Sequence, residues 1–76
     1  MSVAIYTTPS CGYCKMAKEW LRQNGISFVE YNVAADMRRA EEMVRKSGQM
    51  GVPVIDINGR IIVGFNKAEI EKSLHR

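Results

Sequence analysis

The sequence contains only two cysteines, Cys11 and Cys14, and they are three positions apart. A structural disulfide framework spreads more cysteines along a chain, because a bridge stabilises a fold mainly by closing a long loop. A bridge between Cys11 and Cys14 closes almost no loop and contributes little to stability. The scarcity and spacing of cysteine therefore argue against a disulfide-stapled scaffold and favour chemistry at this pair.

Long apolar runs, internal repeats and low-complexity stretches are also absent from the 76 residues. Residues 1–6 carry no basic leader, so we expect no signal peptide, no membrane span and a cytoplasmic location. A chain of this length accommodates one domain, which we expect to cover residues 1–76. Hydrophobic residues make up 46% of the sequence, which is enough for one packed core.

A dense run of basic residues is missing too. The net charge is +3, but acidic residues such as Glu41 and Glu42 are interspersed with the basic ones. We therefore expect no nucleic-acid partner. The mild positive charge is better suited to attracting anionic partners and stabilising thiolates.

Hydrophobic periodicity predicts the order strand, helix, strand, helix, strand, strand, helix. The predicted strands are residues 3–7, 26–33, 54–57 and 60–63, and the predicted helices run from Cys11 to Asn24, over residues 36–47, and from Asn66 onward. The first strand–helix–strand unit is expected to be parallel, whereas Asn58-Gly59 predicts a tight antiparallel hairpin. The sequence thus predicts an α/β fold with a mixed four-stranded sheet flanked by three helices.

The apolar members of these elements define an expected core. We expect ten residues in it: Val3, Ile5, Ala17, Trp20, Leu21, Phe28, Val44, Val54, Ile62 and Leu74. The last helix has an N-terminal signature as well, since Asn66 stands three residues before Glu69, as in a capping box. Phe65 and Ile70 occupy the positions of a hydrophobic staple around that cap.

The two cysteines fall where the first predicted strand ends and the first helix begins. Free backbone N–H groups and the positive end of the helix dipole stabilise a thiolate at Cys11. Lys15 and Lys18 add positive charge nearby, and Lys15 is predicted to stabilise the thiolate. Cys14 lies one turn further in and is expected to be more buried. The predicted chemistry is attack by Cys11 on a substrate disulfide, followed by attack of Cys14 on Cys11.

Three other interpretations of the pair are open at this point. A closed zinc site needs four ligands, and the chain offers two cysteines and His75, so we expect no resident metal. An iron–sulfur cluster held by Cys11 and an external thiol, or shared between two copies, would make the protein a cluster carrier. Finally, both cysteines could be core filler in a binding module, which leaves their position at a helix start unexplained.

Three segments carry a resemblance to a known family. Residues 7–14, TTPSCGYC, resemble the active-site segment of glutaredoxins. The segment Gly51-Val52-Pro53 is similar to their proline loop, and Gly64-Phe65 stands at their second glycine-bearing loop. The order of elements also resembles the glutaredoxin version of the thioredoxin fold, βαβαββα, over essentially the whole chain. The resemblance implies a dithiol oxidoreductase that reduces disulfide-containing proteins.

The same resemblance implies a substrate-binding surface beside the cysteines. Its members would be Tyr13, Gly51, Val52, Pro53, Gly64 and Phe65. The bond between Val52 and Pro53 would be cis, and the Val52 backbone would pair with an extended substrate. Two simpler interpretations stay open, namely that Pro53 only starts an edge strand and that Tyr13 is only a solvated ring.

Several positions depart from the glutathione-using pattern. Thr8 stands where many such glutaredoxins carry a lysine, Asn66-Lys67 replaces aspartates that hold the glutathione amino group, and Gln49 replaces a basic residue. Gly64-Phe65 instead resembles the loop of NrdH-type redoxins, which take electrons from thioredoxin reductase. We therefore expect weak glutathione binding. The electron donor is expected to be thioredoxin reductase or glutathione. We also expect a monomer with no tightly bound cofactor.

Overall fold

The computed structural model describes residues 2–74, which form four strands and three helices in the predicted order. The strands are β1 (Val3–Thr7), β2 (Val29–Asn32), β3 (Val54–Ile57) and β4 (Arg60–Val63), and the helices are α1 (Gly12–Gln23), α2 (Met37–Ser47) and α3 (Lys67–Leu74). The predicted bounds of β1, β3 and β4 are confirmed. No helix in this part of the chain has the length and apolar character needed to cross a bilayer.

The four strands form one mixed sheet in the order β2-β1-β3-β4. β1 runs parallel to β2, while β3 is antiparallel to both β1 and β4. Asn58 and Gly59 join β3 to β4 with φ angles of 52° and 93°. Both angles are positive, as a type I′ hairpin turn requires, and Gly59 adopts this conformation without the clash of a Cβ atom. The predicted mixed sheet and hairpin are therefore confirmed.

The second strand is shorter than the predicted range of residues 26–33. The Ile26 backbone N–H donates to the Leu21 carbonyl at 2.9 Å, which keeps residue 26 in the turn that ends α1. Ile26 and Phe28 nevertheless pack against the core as half-buried side chains. The apolar pattern that suggested a longer strand thus reflects burial of the connecting loop rather than strand pairing.

The two faces of the sheet carry separate core clusters, because neighbouring strand residues point to opposite faces. Ile5 belongs to the cluster covered by α1 and α3, and Tyr6 belongs to the one covered by α2. The first cluster comprises Val3, Ile5, Ala17, Leu21, Ile55, Ile57, Ile62, Ile70 and Leu74. The second comprises Tyr6, Met43 and Val54. Most of the predicted core is confirmed, with Trp20 and Phe28 half-buried at its edge.

The prediction that Val44 is a core residue is wrong. Val44 is 36% exposed, whereas its neighbour Met43 is 2% exposed and packs against the sheet. Successive residues on a helix point about 100° apart, so only one of two adjacent apolar residues can lie at the centre of the buried stripe. The helix is rotated to bury Met43.

A chain of polar contacts also fixes α2 on the sheet. The buried Tyr6 hydroxyl donates to the Glu42 carboxylate and accepts from Lys46 Nζ at 2.9 Å. Lys46 Nζ also donates to Asp56 on β3 at 2.8 Å, and Arg39 donates to Glu42 at 3.1 Å. Burial raises the pKa of Tyr6, and its hydrogen bond to Glu42 adds to that effect. The contacts satisfy the polar end of a tyrosine that is otherwise surrounded by core residues.

Candidate active site

Cys11 is the N-cap residue of α1. Its Sγ accepts a hydrogen bond from the Cys14 backbone N–H at 3.1 Å. Both cysteines are free thiols, but Cys11 is partly exposed while Cys14 is 1% exposed. A hydrogen bond from a helix N-terminus stabilises a negatively charged sulfur over a neutral one. The sequence-based expectation that Cys14 is the more buried thiol is confirmed.

The Cys14 thiol is held in its protonated form. Burial raises the pKa of Cys14 from 9.0 to about 12, and the hydrogen bond and charge of Cys11 add to this effect. Two groups oppose the increase, namely a hydrogen bond from the Thr8 backbone and the positive charge of Lys18. Near neutral pH, Cys14 is therefore a proton-bearing neighbour of Cys11.

The proline loop lies directly beside Cys11. The peptide bond between Val52 and Pro53 is cis, and the Cys11 Sγ lies 3.9 Å from the Val52 carbonyl oxygen. Pro53 is fully buried and Val52 packs at the edge of the second core cluster. The structure thus brings together two segments that are 41 residues apart in the sequence, as the resemblance implied.

The Gln49 side chain is hydrogen-bonded to the backbone at the start of this loop. The Gly51 N–H donates to Gln49 Oε1, and Gln49 Nε2 donates to the Gly51 carbonyl at 3.0 Å. The hydroxyl of Ser47, the last residue of α2, is shared between the Met43 carbonyl at 2.7 Å and the Gln49 carbonyl at 2.9 Å. A Cβ atom on Gly51 would lie 2.7 Å from Gln49 Oε1, so any larger residue displaces the amide. Gln49, noted in the sequence only as a departure from the family pattern, therefore fixes the path of the loop.

The second glycine-bearing loop meets the proline loop. The Gly64 N–H donates to the Pro53 carbonyl at 2.8 Å, and Gly64 has a φ of +83°, which favours glycine. Phe65 is half-buried against the first core cluster and lines a shallow depression with Met16 and Lys67. Gly64 is therefore hydrogen-bonded to Pro53, and Phe65 lies beside α1.

Two further predicted site residues, Tyr13 and Lys15, lie on the first turns of α1. Tyr13 is 66% exposed, and Met16, one turn further along, is 52% exposed. The Lys15 side chain is exposed, while its backbone N–H donates to the Cys11 carbonyl at 3.3 Å. Apolar surface thus borders the thiol, and the assignments of Tyr13 to substrate binding and of Lys15 to thiolate stabilisation stay predictions.

Lys18, whose charge the sequence places near the thiols, belongs to a polar cluster with Thr7 and Glu30, which the sequence-based site assignment missed. Lys18 Nζ donates to Glu30 Oε2 at 2.8 Å, and the buried Thr7 hydroxyl donates to the same oxygen at 2.7 Å. The hydrogen bonds from Lys18 and Thr7 lower the pKa of Glu30. The spacing of Cys14 and Lys18 on α1 was the available signal, since residues four apart share a helix face. Glu30 could not be assigned because its contact depends on how β1 and β2 pair.

Residues 2–74 contain no group of three or more His, Cys, Asp or Glu side chains arranged to hold a metal ion. His75, which was considered as a zinc ligand, lies outside the described residues.

The fold and the site together define a class of protein. A mixed four-stranded sheet with three helices, and a Cys-x-x-Cys pair that opens α1, is the thioredoxin fold with the dithiol arrangement of thiol–disulfide oxidoreductases. The chain belongs to the glutaredoxin family, whose sequence model matches residues 3–62.

Named relatives agree with this assignment. A Clostridium pasteurianum protein described as an uncharacterized glutaredoxin-like 8.6 kDa protein in the rubredoxin operon is 55% identical over 97% of this chain and 99% of its own length. Glutaredoxin 3 of Escherichia coli is 40% identical over 83% of this chain and 76% of its own. The glutaredoxin-like protein NrdH of Lactococcus lactis is 31% identical over 92% of this chain and 96% of its own.

Solved structures have the same fold. The thioredoxin-like protein BC3987, as a T8A mutant, superposes with a TM-score of 0.91 at 23% identity, covering 97% of this chain and 95% of its own. The NrdH-redoxin of Escherichia coli superposes with a TM-score of 0.85 at 28% identity, covering 95% of this chain and 93% of its own. The predicted thioredoxin fold of the glutaredoxin type is confirmed.

Proposed function

We propose that this protein is a dithiol electron carrier that reduces protein and mixed disulfides, with Cys11 as the attacking thiol and Cys14 as the resolving thiol. The difference between the two thiols carries the proposal. Cys11 is accessible and accepts a backbone hydrogen bond, whereas Cys14 is buried and has a pKa of about 12. Because the thiolate is the attacking species, Cys11 reacts first.

In the first step, the Cys11 thiolate attacks one sulfur of a substrate disulfide. The Cys11–substrate S–S bond forms, the substrate S–S bond breaks, and the departing substrate sulfur leaves as a thiolate that takes a proton from water. An extended substrate segment would pair with the backbone at Val52, whose carbonyl lies 3.9 Å from the reacting sulfur. Gly51 and Pro53 flank that position, Gly64 supports it through Pro53, and Tyr13 and Phe65 offer apolar contacts nearby.

In the second step, Cys14 attacks the Cys11 sulfur. Formation of the mixed disulfide removes the negative charge from Cys11, and that charge is one of the causes that raise the pKa of Cys14. Loss of a proton from Cys14 is therefore easier in the mixed disulfide than in the free dithiol. The Cys11–Cys14 bond forms, the mixed disulfide breaks, and the substrate leaves with two electrons and, once protonated, as a dithiol.

The oxidised protein must then regain two electrons. We propose thioredoxin reductase as the main donor and glutathione as a weaker one. Lys67, whose Nζ lies 5.6 Å from the centre of the Phe65 ring, would repel the ammonium group of glutathione, for which the family resemblance implies aspartates near this position. The Lactococcus lactis relative is named NrdH, and the Escherichia coli NrdH-redoxin is described as having a thioredoxin-like activity profile. The proposal includes a monomer in the cytoplasm, without a resident cofactor.

The deciding experiment compares two reducing systems on the oxidised protein. NADPH with thioredoxin reductase is expected to reduce it rapidly, and glutathione with glutathione reductase is expected to do so slowly. A Lys67→Asp variant should gain rate with glutathione, since it replaces the repelling charge by an attractive one. Fast reduction of the wild type by glutathione alone would overturn the choice of donor. Failure of both systems would count against the dithiol carrier itself.

A function as an iron–sulfur cluster carrier predicts a different visible absorption spectrum. A protein with a cluster ligated by Cys11 would be coloured after anaerobic purification. The dithiol carrier is expected to be colourless, because Cys14 competes with external ligands for the Cys11 sulfur. A visible absorption spectrum of anaerobically purified protein therefore separates the two functions.

A further inference from the structure

A lysine lies one helical turn beyond the buried thiol. Cys14 and Lys18 are four residues apart on α1, so their side chains share one face of the helix. Cys14 is 1% exposed, and the Lys18 side chain is 20% exposed. The buried thiol and the partly exposed lysine are therefore one helical turn apart, and the positive charge of Lys18 lowers the pKa of Cys14.

Two neighbouring strands hold this lysine in place. Its Nζ lies 2.8 Å from Glu30 Oε2 on β2, and the same oxygen accepts a 2.7 Å hydrogen bond from the Thr7 hydroxyl at the end of β1. Thr7 is 2% exposed and is followed by Thr8, whose backbone lowers the pKa of Cys14. Thr7, Glu30 and Lys18 thus form one hydrogen-bonded group, and Lys18 shares its helix face with Cys14.

We propose that Lys18, anchored by Glu30 and Thr7, is a positioning residue for the resolving step, in which its positive charge stabilises the Cys14 thiolate that attacks Cys11. This inference rests on the proposed dithiol function. The ammonium group has no lone pair, so Lys18 does not accept the proton. The proton passes to water or to the departing substrate sulfur, and Lys18 favours the charge left on Cys14.

The charges around Cys14 determine in which of the two steps Lys18 influences the Cys14 thiol. In the free dithiol, burial, the hydrogen bond with Cys11 and the negative charge of Cys11 together outweigh the effect of Lys18 on the pKa of Cys14. In the mixed disulfide the Cys11 charge is gone, and Lys18 and the Thr8 backbone act against burial alone. Lys18 should therefore influence the second step much more than the first.

Glu30 holds Lys18 in place and does not act as the base that takes the proton from Cys14. Its pKa is lowered by the hydrogen bonds from Lys18 and Thr7, with a further contribution from the charge of Arg22. A carboxylate held in this way takes up a proton poorly near neutral pH. The Glu30 side chain is also 35% exposed, so water weakens its neutralising effect on Lys18.

The test separates the two chemical steps with a small disulfide probe, dithiobis(nitrobenzoate), supplied below the concentration of reduced protein. Attack by Cys11 releases one coloured thiolate at a rate that depends on concentration. Attack by Cys14 releases the second at a rate that does not. The variants are Lys18→Met, Lys18→Arg and, as a control with the same loss of charge, Lys72→Met on α3, where Lys72 is 69% exposed.

The Lys18→Met variant is expected to lose about threefold to tenfold in the second rate near neutral pH, because the attacking Cys14 thiolate loses a stabilising positive charge. Its pH profile for that step should move to higher pH. Lys18→Arg should retain most of the rate, and Lys72→Met should match the wild type. The first rate should be similar in all four proteins.

The outcomes separate this inference from the function on which it rests. An unchanged second rate and pH profile in Lys18→Met, with two clear phases in the wild type, would overturn the role of Lys18 and leave the dithiol mechanism intact. A wild type without a concentration-independent phase, or a Cys14→Ser variant that retains it, would instead overturn the resolving role of Cys14.

Discussion

The Cys14 backbone N–H donates to the Cys11 sulfur at 3.1 Å while the Cys14 side chain is buried. One residue thus stabilises the attacking sulfur through its main chain and keeps its own thiol protonated through burial. This arrangement requires the two cysteines to be three residues apart at a helix N-terminus, since the third N–H of the helix is the one that reaches the cap residue.

The first prediction concerns the order of the two thiols. Cys14→Ser is expected to accumulate a mixed disulfide between Cys11 and a protein substrate, because the first bond forms and nothing resolves it. Mass spectrometry under non-reducing conditions detects this adduct. Cys11→Ser is the matched control and should form none. An adduct through Cys14 in the Cys11→Ser variant, at a comparable rate, would reverse the assignment.

A second prediction is a loss of stability of the reduced protein at high pH. The folded pKa of Cys14 is about 12, above its unfolded value of 9.0, so the unfolded state binds fewer protons between these values. The free energy of unfolding therefore falls as the pH rises through that window, by at most about 1.4 kcal/mol per pH unit from this group. Urea denaturation at several pH values measures the slope.

Cys14→Ala is the control for this pH dependence. It lacks the titrating thiol but keeps the other groups with raised pKa values, such as Tyr6 and Lys46, so their contributions cancel in the comparison. The wild type should lose stability more steeply than the variant above about pH 9. Parallel curves would show that burial of the Cys14 thiol does not affect folding in this window.

The third prediction compares two valines that the sequence pattern does not distinguish. Val54→Ala removes a fully buried side chain from β3 and is expected to cost about 1.5–3 kcal/mol of unfolding free energy. Val44→Ala truncates a side chain that is 36% exposed on α2 and should cost less than about 1 kcal/mol. Urea denaturation of both variants checks the difference, and equal losses would contradict the described orientation of α2.

The fourth prediction concerns the hydrogen bonds between Gln49 and Gly51 in the proline loop. Gly51→Ala places a Cβ atom 2.7 Å from Gln49 Oε1, the end of a flexible side chain, and displaces the exposed hydrogen bond to the loop, which should cost about 0.5–1 kcal/mol. Gly12→Ala is the matched control, because a Cβ atom there meets nothing within 4 Å and alanine favours the helix. The control should be as stable as the wild type or more so. A Gly51→Ala protein of equal stability would show that the Gln49 contacts contribute little.

The sequence by itself determined the features that depend on neighbours along the chain. Asn58-Gly59 specifies a tight turn because both positions take positive φ, and Asn66 caps α3 by accepting the Glu69 N–H at 3.2 Å. Cys11 and Cys14 could be placed at a helix start because a strand pattern ends just before them. The second half of the predicted capping box did not form as such, since the Glu69 carboxylate is bonded to Arg60 at 2.7 Å.

Only the tertiary structure decided the features that depend on distant segments. The rotation of α2 buries Met43 and exposes Val44, a choice that local periodicity leaves open because both residues are apolar and adjacent. The contact between Lys18 and Glu30 joins residues 12 apart and exists only because β2 pairs with β1. Local patterns specify backbone conformation through nearby sterics and hydrogen bonds, whereas the surroundings of a side chain are set by whichever elements the packed sheet brings against it.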